Sequence, residues 1–332
     1  MSQRLVRWYA LGSWIGDRLA ILAPICVAVG VLLPQVFGPV NTYAVPFLFA
    51  CMTFQGSLGN TFSQVLDEFR HPLPMIVVLF VSAVVLPVLA WLAGGALFAD
   101  QPLVVTGIVL EYCVPVAVIT FMWVGMYNGN SSLALATIMV ATVLAPVSIP
   151  FTLQLLMGAV VHVDAAGMML SMVEMVGAPA LAGMSVNQVS RGWGARTLSP
   201  NIAPLIKLFV LVIITSNATG LAPYVLHPSL LLVQIGAFVL VFTVFTYAIG
   251  VGVARLLRRG RADTVTIGYA CGLRNISAGA VIAGQYFPGT PVIVPAMVGT
   301  LLQQILAAGF GAIVRRFDRH AAQDEGFLHE PL

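Results

Sequence analysis

Apolar residues in this chain come in long uninterrupted blocks separated by short polar joints. The blocks fall at 19–37, 40–58, 74–98, 103–127, 131–160, 167–188, 202–222, 229–254, 264–286 and 292–314. Each is long enough for a helix to cross about 30 Å of hydrocarbon. The pattern predicts an all-α polytopic membrane protein with ten transmembrane helices.

Composition agrees with lipid as the solvent: 59% of the residues are hydrophobic and 8% charged, where a soluble domain carries about a quarter of its residues as charges. The cations are placed unevenly. Arg4, Arg7 and Arg18 precede the first block, Arg70 follows the second, and Arg191 and Arg196 follow the sixth. Arg255, Arg258, Arg259 and Arg261 follow the eighth, and Arg315, Arg316 and Arg319 the tenth. The alternate joints, around Pro39, Asp100, His162, His227 and Gly289, contain no Lys or Arg. Because cytoplasmic loops hold the excess of Lys and Arg, both termini are expected in the cytoplasm, with the chain in the cell (inner) membrane. Residues 1–18 are read as a cytoplasmic N-terminus and 315–332 as a polar, frayed cytoplasmic tail. The first block is a full span rather than a short signal-peptide core with a cleavage site. The net charge of +3 is spread over one membrane face, not gathered into a patch for nucleic acid. Cys26, Cys51, Cys113 and Cys271 all lie within spans, as packing thiols with no zinc-binding spacing and no expected disulfide.

The ten spans fall into halves of five, 19–161 and 162–314, with the polar connector at 187–203 between spans six and seven. Five is odd, so the second half enters the membrane inverted relative to the first. The fourth span of each half then invites comparison. One reads Glu111-Tyr112-Cys113-Val114-Pro115, the other Gly268-Tyr269-Ala270-Cys271-Gly272-Leu273-Arg274-Asn275. Each holds a Cys, a helix breaker and a charge at mid-span. Pro115 removes a backbone donor and clashes with the preceding turn; Gly272 weakens the helix and permits close approach. Both spans are expected to unwind there, and backbone freed at membrane depth must be buried in protein or line a cavity. A charge at that depth normally faces a partner, a cavity or a ligand.

These residues resemble the bile acid:sodium symporter family. The likeness rests on the stretch from Leu110 to Pro150, with its spacings Cys113 to Gly129 and Gly129 to Pro146, and on Gly272-Leu273-Arg274-Asn275. It implies a ten-helix carrier of two inverted five-helix repeats, with a panel domain (helices one, two, six and seven) and a core domain (three to five and eight to ten). Broken helices four and nine would cross near the substrate. It also implies where the family's sodium ligands would fall. Thr120 and Phe121 stand at the family's Ser-Asn pair, Ala134 and Ile138 at the hydroxyls of helix five, Ala270 at the acid of helix nine, Arg274 at a glutamine, and Ser82 at the glutamine of helix three. Phe121, Ala134, Ile138 and Ala270 supply no side-chain oxygen, so both sodium cages are dismantled. Arg274 is a cation that does not deprotonate, and Glu111 is a new acid.

The resulting expectation is a secondary carrier, in the symporter mould but sodium-independent, moving an organic anion or small amphipathic solute by alternating access. The substrate-binding or coupling residues are taken as Glu111, Cys113, Pro115, Thr120, Cys271, Gly272, Arg274, Asn275 and Ser277. Arg274 either pairs with Glu111 across the crossing or binds the anionic substrate, and a Glu111 released during the cycle would allow proton coupling. No enzymatic activity, metal or cofactor is expected. A thiol-using metalloid carrier, suggested by Cys113 and Cys271, and a non-transporting membrane sensor of the same fold are the alternatives. Glu174 is a candidate for the cleft between domains and Lys207 is expected to snorkel. Asn128 and Asn130 are read as turn formers, Gln303 and Gln304 as interhelical hydrogen-bonding groups, and Met122, Met126 and Met139 as packing.

Overall fold

The computed structural model describes residues 3–63, 72–226 and 229–327; Arg70 and His227, used above for orientation, lie outside them. The described chain is helical, with a single isolated bridge between extended residues and no strand. In chain order the helices are α1 Gln3–Asp17, α2 Leu19–Leu32, α3 Pro34–Tyr43, α4 Val45–Ser57, α5 Leu73–Leu97, α6 Pro102–Cys113 and α7 Thr120–Met126. They continue as α8 Ser131–Met157, α9 Ala165–Val189, α10 Gly194–Leu226, α11 Leu230–Leu256, α12 Arg261–Gly272, α13 Ile276–Tyr286 and α14 Ile293–Phe327.

Six of these, α5, α8, α9, α10, α11 and the first 26 residues of α14, are long and apolar enough to cross a membrane unaided. Two further pairs qualify only when joined across a bend, α1 with α2 at 81° and α3 with α4 at 61°. The block expected at 19–37 is therefore cut at Leu33, which takes φ −123°, ψ 50° ahead of Pro34. Proline disfavours the helical conformation in the residue before it, and the residues from Pro34 onward join the second segment instead of completing the first. Residues 3–17 of the N-terminal segment form a helix, and α14 continues through the expected frayed tail as far as Phe327.

Helix starts follow side-chain chemistry. Asn130, Asp164 and Asn275 cap α8, α9 and α13, each accepting a hydrogen bond from the backbone N–H three residues on, which satisfies one of the open donors of a first turn. Asn128 sits at φ +51° in the joint before α8, a conformation asparagine tolerates better than most residues, so the turn-forming reading of Asn128 and Asn130 holds. Single π-turns interrupt α5 at Val81–Val85 and α9 at Val173–Gly177.

The helices pack in two groups. α2, α4, α9 and α10 lie against one another, with α1 laid on α10; α5, α6, α11, α12, α13 and α14 make the other group, and α8 touches both. Large apolar side chains such as Ile21, Phe47, Leu155, Leu230 and Ile305 are exposed on the outside, as expected where lipid is the solvent.

Candidate functional site

The helices break at both places the sequence predicts. α6 ends at Cys113 and Val114 turns extended (φ −64°, ψ 153°) ahead of Pro115. α12 ends at Gly272, followed by extended Leu273 (φ −108°, ψ 121°). Gly272 is required by space: a Cβ there would lie 2.3 Å from the Tyr247 ring. The extended segments then pair with each other. Asn275 N donates to Pro115 O at 2.8 Å and Ala117 N to Leu273 O at 3.2 Å, an antiparallel bridge centred on Val116 and Arg274. Backbone freed by one break thus satisfies backbone freed by the other, as burial away from water requires.

Arg274 is 3% exposed and its guanidinium reaches into the same crossing. Nη1 donates to the carbonyls of Val114 and Ser82, both at 3.4 Å, and Nη2 to that of Cys271 at 3.2 Å, while Arg274 N donates to Gln303 Oε1 at 3.2 Å. Val114 caps the end of α6, Cys271 lies in the last turn of α12, and Ser82 lies in the π-turn of α5. Helix C-termini carry partial negative charge and attract cations. Two of them converge here on one fixed positive charge.

Glu111, 2% exposed in the last turn of α6, is not in ion-pair contact with Arg274 among the described residues. The direct pair expected from the sequence does not form, because the guanidinium turns to the carbonyls that the breaks leave open. Glu111 Oε2 and Arg274 Nε both lack a hydrogen-bond partner. The Glu111 carboxylate lies against α14 at Gly299, where a Cβ would come within 2.2 Å of Oε1. A side chain at 299 would have to share that space with the carboxylate.

The remaining candidates divide. Pro115 and Gly272 form the breaks, and Cys113 and Cys271 are buried beside them, Cys113 Sγ donating to Leu110 O at 3.5 Å. Thr120 opens α7 fully buried, with its hydroxyl unpartnered. Asn275 serves as the cap of α13, and Ser277 is half-buried in that helix's first turn. Phe121 is exposed, whereas Ala134, Ile138 and Ala270 are buried and apolar. Gln303 and Gln304 make the expected bonds between segments, their side-chain oxygens accepting from Arg274 N and Trp123 Nε1. Met139 is packed, but Met122 and Met126 are exposed on the short α7 rather than packed. Lys207 does not simply reach outward; its Nζ donates to Gly12 O of α1 at 2.7 Å. Glu174 is exposed within the π-turn of α9.

Two participants escaped the sequence reading: Gly299, which lies beside the Glu111 carboxylate, and the Ser82 carbonyl, which acts through the backbone rather than the side chain. Neither role leaves a signal in the side-chain pattern.

A family model described as Sodium Bile acid symporter family matches residues 45–228, which include the first break but not the second. The chain is 38% identical to the Bacillus subtilis (strain 168) protein described as "Uncharacterized protein YbaS", over 90% of this chain and 97% of that one. It is 26% identical to the probable sodium/metabolite cotransporter BASS1, chloroplastic, of Arabidopsis thaliana, over 92% of this chain and 77% of the relative. The corresponding BASS2 protein of Oryza sativa subsp. japonica is 24% identical, over 86% and 68%. The chain is a multi-pass membrane transporter that belongs to the sodium bile acid symporter family.

Proposed function

We propose that this protein is a secondary carrier of an organic anion or small amphipathic solute, working by alternating access without bound sodium. The observation that carries this reading is the unpaired couple at the crossing, Arg274 on converging helix ends and Glu111 with an unpartnered carboxylate oxygen. In transporters, half-helix C-termini and unwound carbonyls are the groups that hold a coupling cation. Here a guanidinium occupies that kind of position permanently, and the residues aligned with the family's sodium ligands include four without a side-chain oxygen. The relatives' names attach sodium to those proteins; this chain's own residues argue for independence from it.

The crossing is taken as helices four and nine of ten, with α6–α7 and α12–α13 as the broken spans of two inverted halves, 19–161 and 162–314. The helix group containing α2, α4, α9 and α10 would be the panel, the other the core. Both termini are assigned to the cytoplasmic side of the inner membrane. An anionic solute entering beside the crossing meets the field of Arg274, the N-terminus of α13 and the half-buried Ser277. Glu111 supplies the charge that must be neutralised or separated for an anion to approach, and taking up a proton is the simplest way to do so. Transport would then be driven by a proton gradient.

Uptake of labelled carboxylates, sulfonates and sterol conjugates into proteoliposomes tests this directly. Wild type should accumulate at least one of them equally in sodium and choline media and respond to an imposed proton gradient, whereas Glu111→Gln should exchange substrate but ignore the gradient. An identical gradient response in Glu111→Gln would remove the acid from the coupling step, and a saturable sodium requirement would overturn the reading.

A further inference from the structure

α1 is laid against α10 by one of its faces and presents the other to the surroundings. On the packed face, Trp8 Nε1 donates to Asn201 O at 2.9 Å, Tyr9 bonds the Asn201 side chain, Gly12 lies against Pro204, and Ile15 is 2% exposed. Lys207 completes the contact through the Gly12 carbonyl. The opposite face is a stripe at helical spacing, Arg7, Leu11, Trp14 and, at the bend, Arg18, all exposed. The Arg18 guanidinium stands 5.0 Å above the Trp14 ring. Neither Arg7 nor Arg18 is ion-paired among the described residues. α1 turns 81° from α2, and its 15 residues cover about 22 Å at the rise of an α-helix. On its own it is shorter than the roughly 30 Å of hydrocarbon.

We propose that the stripe Arg7–Leu11–Trp14–Arg18 docks α1 on the anionic phospholipid headgroups of the bilayer face that carries the basic loops. An apolar centre flanked by cations is the composition of a helix lying in the interfacial plane, and tryptophan favours headgroup depth. Charge complementarity selects anionic lipid: residues 1–18 hold three arginines and one aspartate, and basic segments beside a membrane bind acidic surfaces. Because the packed face is pinned to α10, the lipid contact also fixes the helix group containing α10 relative to the bilayer, leaving the group with the crossing as the one free to move. This inference does not depend on the substrate.

The test compares full-length protein in vesicles of phosphatidylcholine alone and of phosphatidylcholine mixed with phosphatidylglycerol. Phosphatidylglycerol should raise the melting temperature of wild type by several degrees. Arg7→Gln combined with Arg18→Gln should lose most of that rise, and the Lys pair at both positions should keep it. The fluorescence that Trp14→Phe removes should be quenched by lipid brominated near the headgroup. An equal rise in wild type and the Gln pair, no rise in wild type, or no headgroup quenching of Trp14 would each overturn the proposal. A matching rise from soluble glycerol phosphate in plain phosphatidylcholine would overturn it too, since the bilayer surface would then be unnecessary.

Discussion

Arg261 opens α12 at its solvent-facing end, where its guanidinium makes a two-pronged ion pair with Asp318, at 2.6 and 2.7 Å, and donates to the carbonyls of Tyr127 and Asn128 at 3.0 Å. Arg274 lies just past the other end of the same helix, buried, with three backbone carbonyls around it and no carboxylate in contact. The nearby ends of α7 and α14 extend the first arrangement. Arg315 stands over the Tyr127 ring, and Trp123, Tyr127, Tyr269, Tyr247 and Phe310 form one aromatic cluster. Where water is close, every charge of this set finds an ordinary partner. In the buried crossing, where leaving a charge unpaired is expensive, the acid and the cation do not meet. Structural ion pairing thus explains the water-facing end of α12 and leaves the crossing unexplained unless the site works.

The largest effect should come from removing the buried cation. Arg274→Met deprives the Ser82, Val114 and Cys271 carbonyls of their donor, at roughly 1–3 kcal/mol for each group left unsatisfied. Loss of folded protein, or a melting temperature many degrees lower in detergent, is the expected outcome; a melting temperature within a degree of wild type would show that the crossing does not rely on Arg274.

Gly299→Ala comes next, since the added methyl must displace the Glu111 carboxylate. Destabilisation of about 1–3 kcal/mol, the usual range for overpacking, should be relieved in the double variant with Glu111→Ala. Strict additivity in that double-mutant cycle would mean that the two residues do not share the space.

Glu111→Gln should change stability less than Arg274→Met, or raise it, because a buried carboxylate without a partner at Oε2 is exchanged for a neutral group of the same shape. Proton-gradient response is where its effect should appear. The smallest effect is expected at Asp318→Asn. An exposed ion pair contributes about 0–1 kcal/mol, so a melting temperature close to wild type and unchanged uptake should follow, and a loss comparable to Arg274→Met would erase the distinction between the two ends of α12.

The sequence carried much of this contrast. Pro115 and Gly272 announced the breaks because backbone chemistry is local, and the block lengths announced the long helices because bilayer thickness sets them. The cut at Leu33 was legible in principle, since Pro34 constrains its predecessor, but an apolar run hides a change of direction. What stayed hidden was the choice of partner. Arg274 and Glu111 looked like a pair because both are charged, whereas carbonyls exist at every position and carry no letter of their own. The role of Gly299 is equally silent, being defined by the carboxylate that fills the space beside it. The Arg261–Asp318 pair joins residues 57 apart in the chain, and no local pattern points from one to the other.

The central claim, that Arg274 stands in for a bound cation, is tested most directly without any substrate. Purified protein is melted in sodium chloride and in choline chloride at matched ionic strength, across a range of concentrations. A ligand that binds the folded state raises the melting temperature in a saturable way. The expected result is one melting temperature for both salts at every concentration; a saturable rise specific to sodium would contradict the claim.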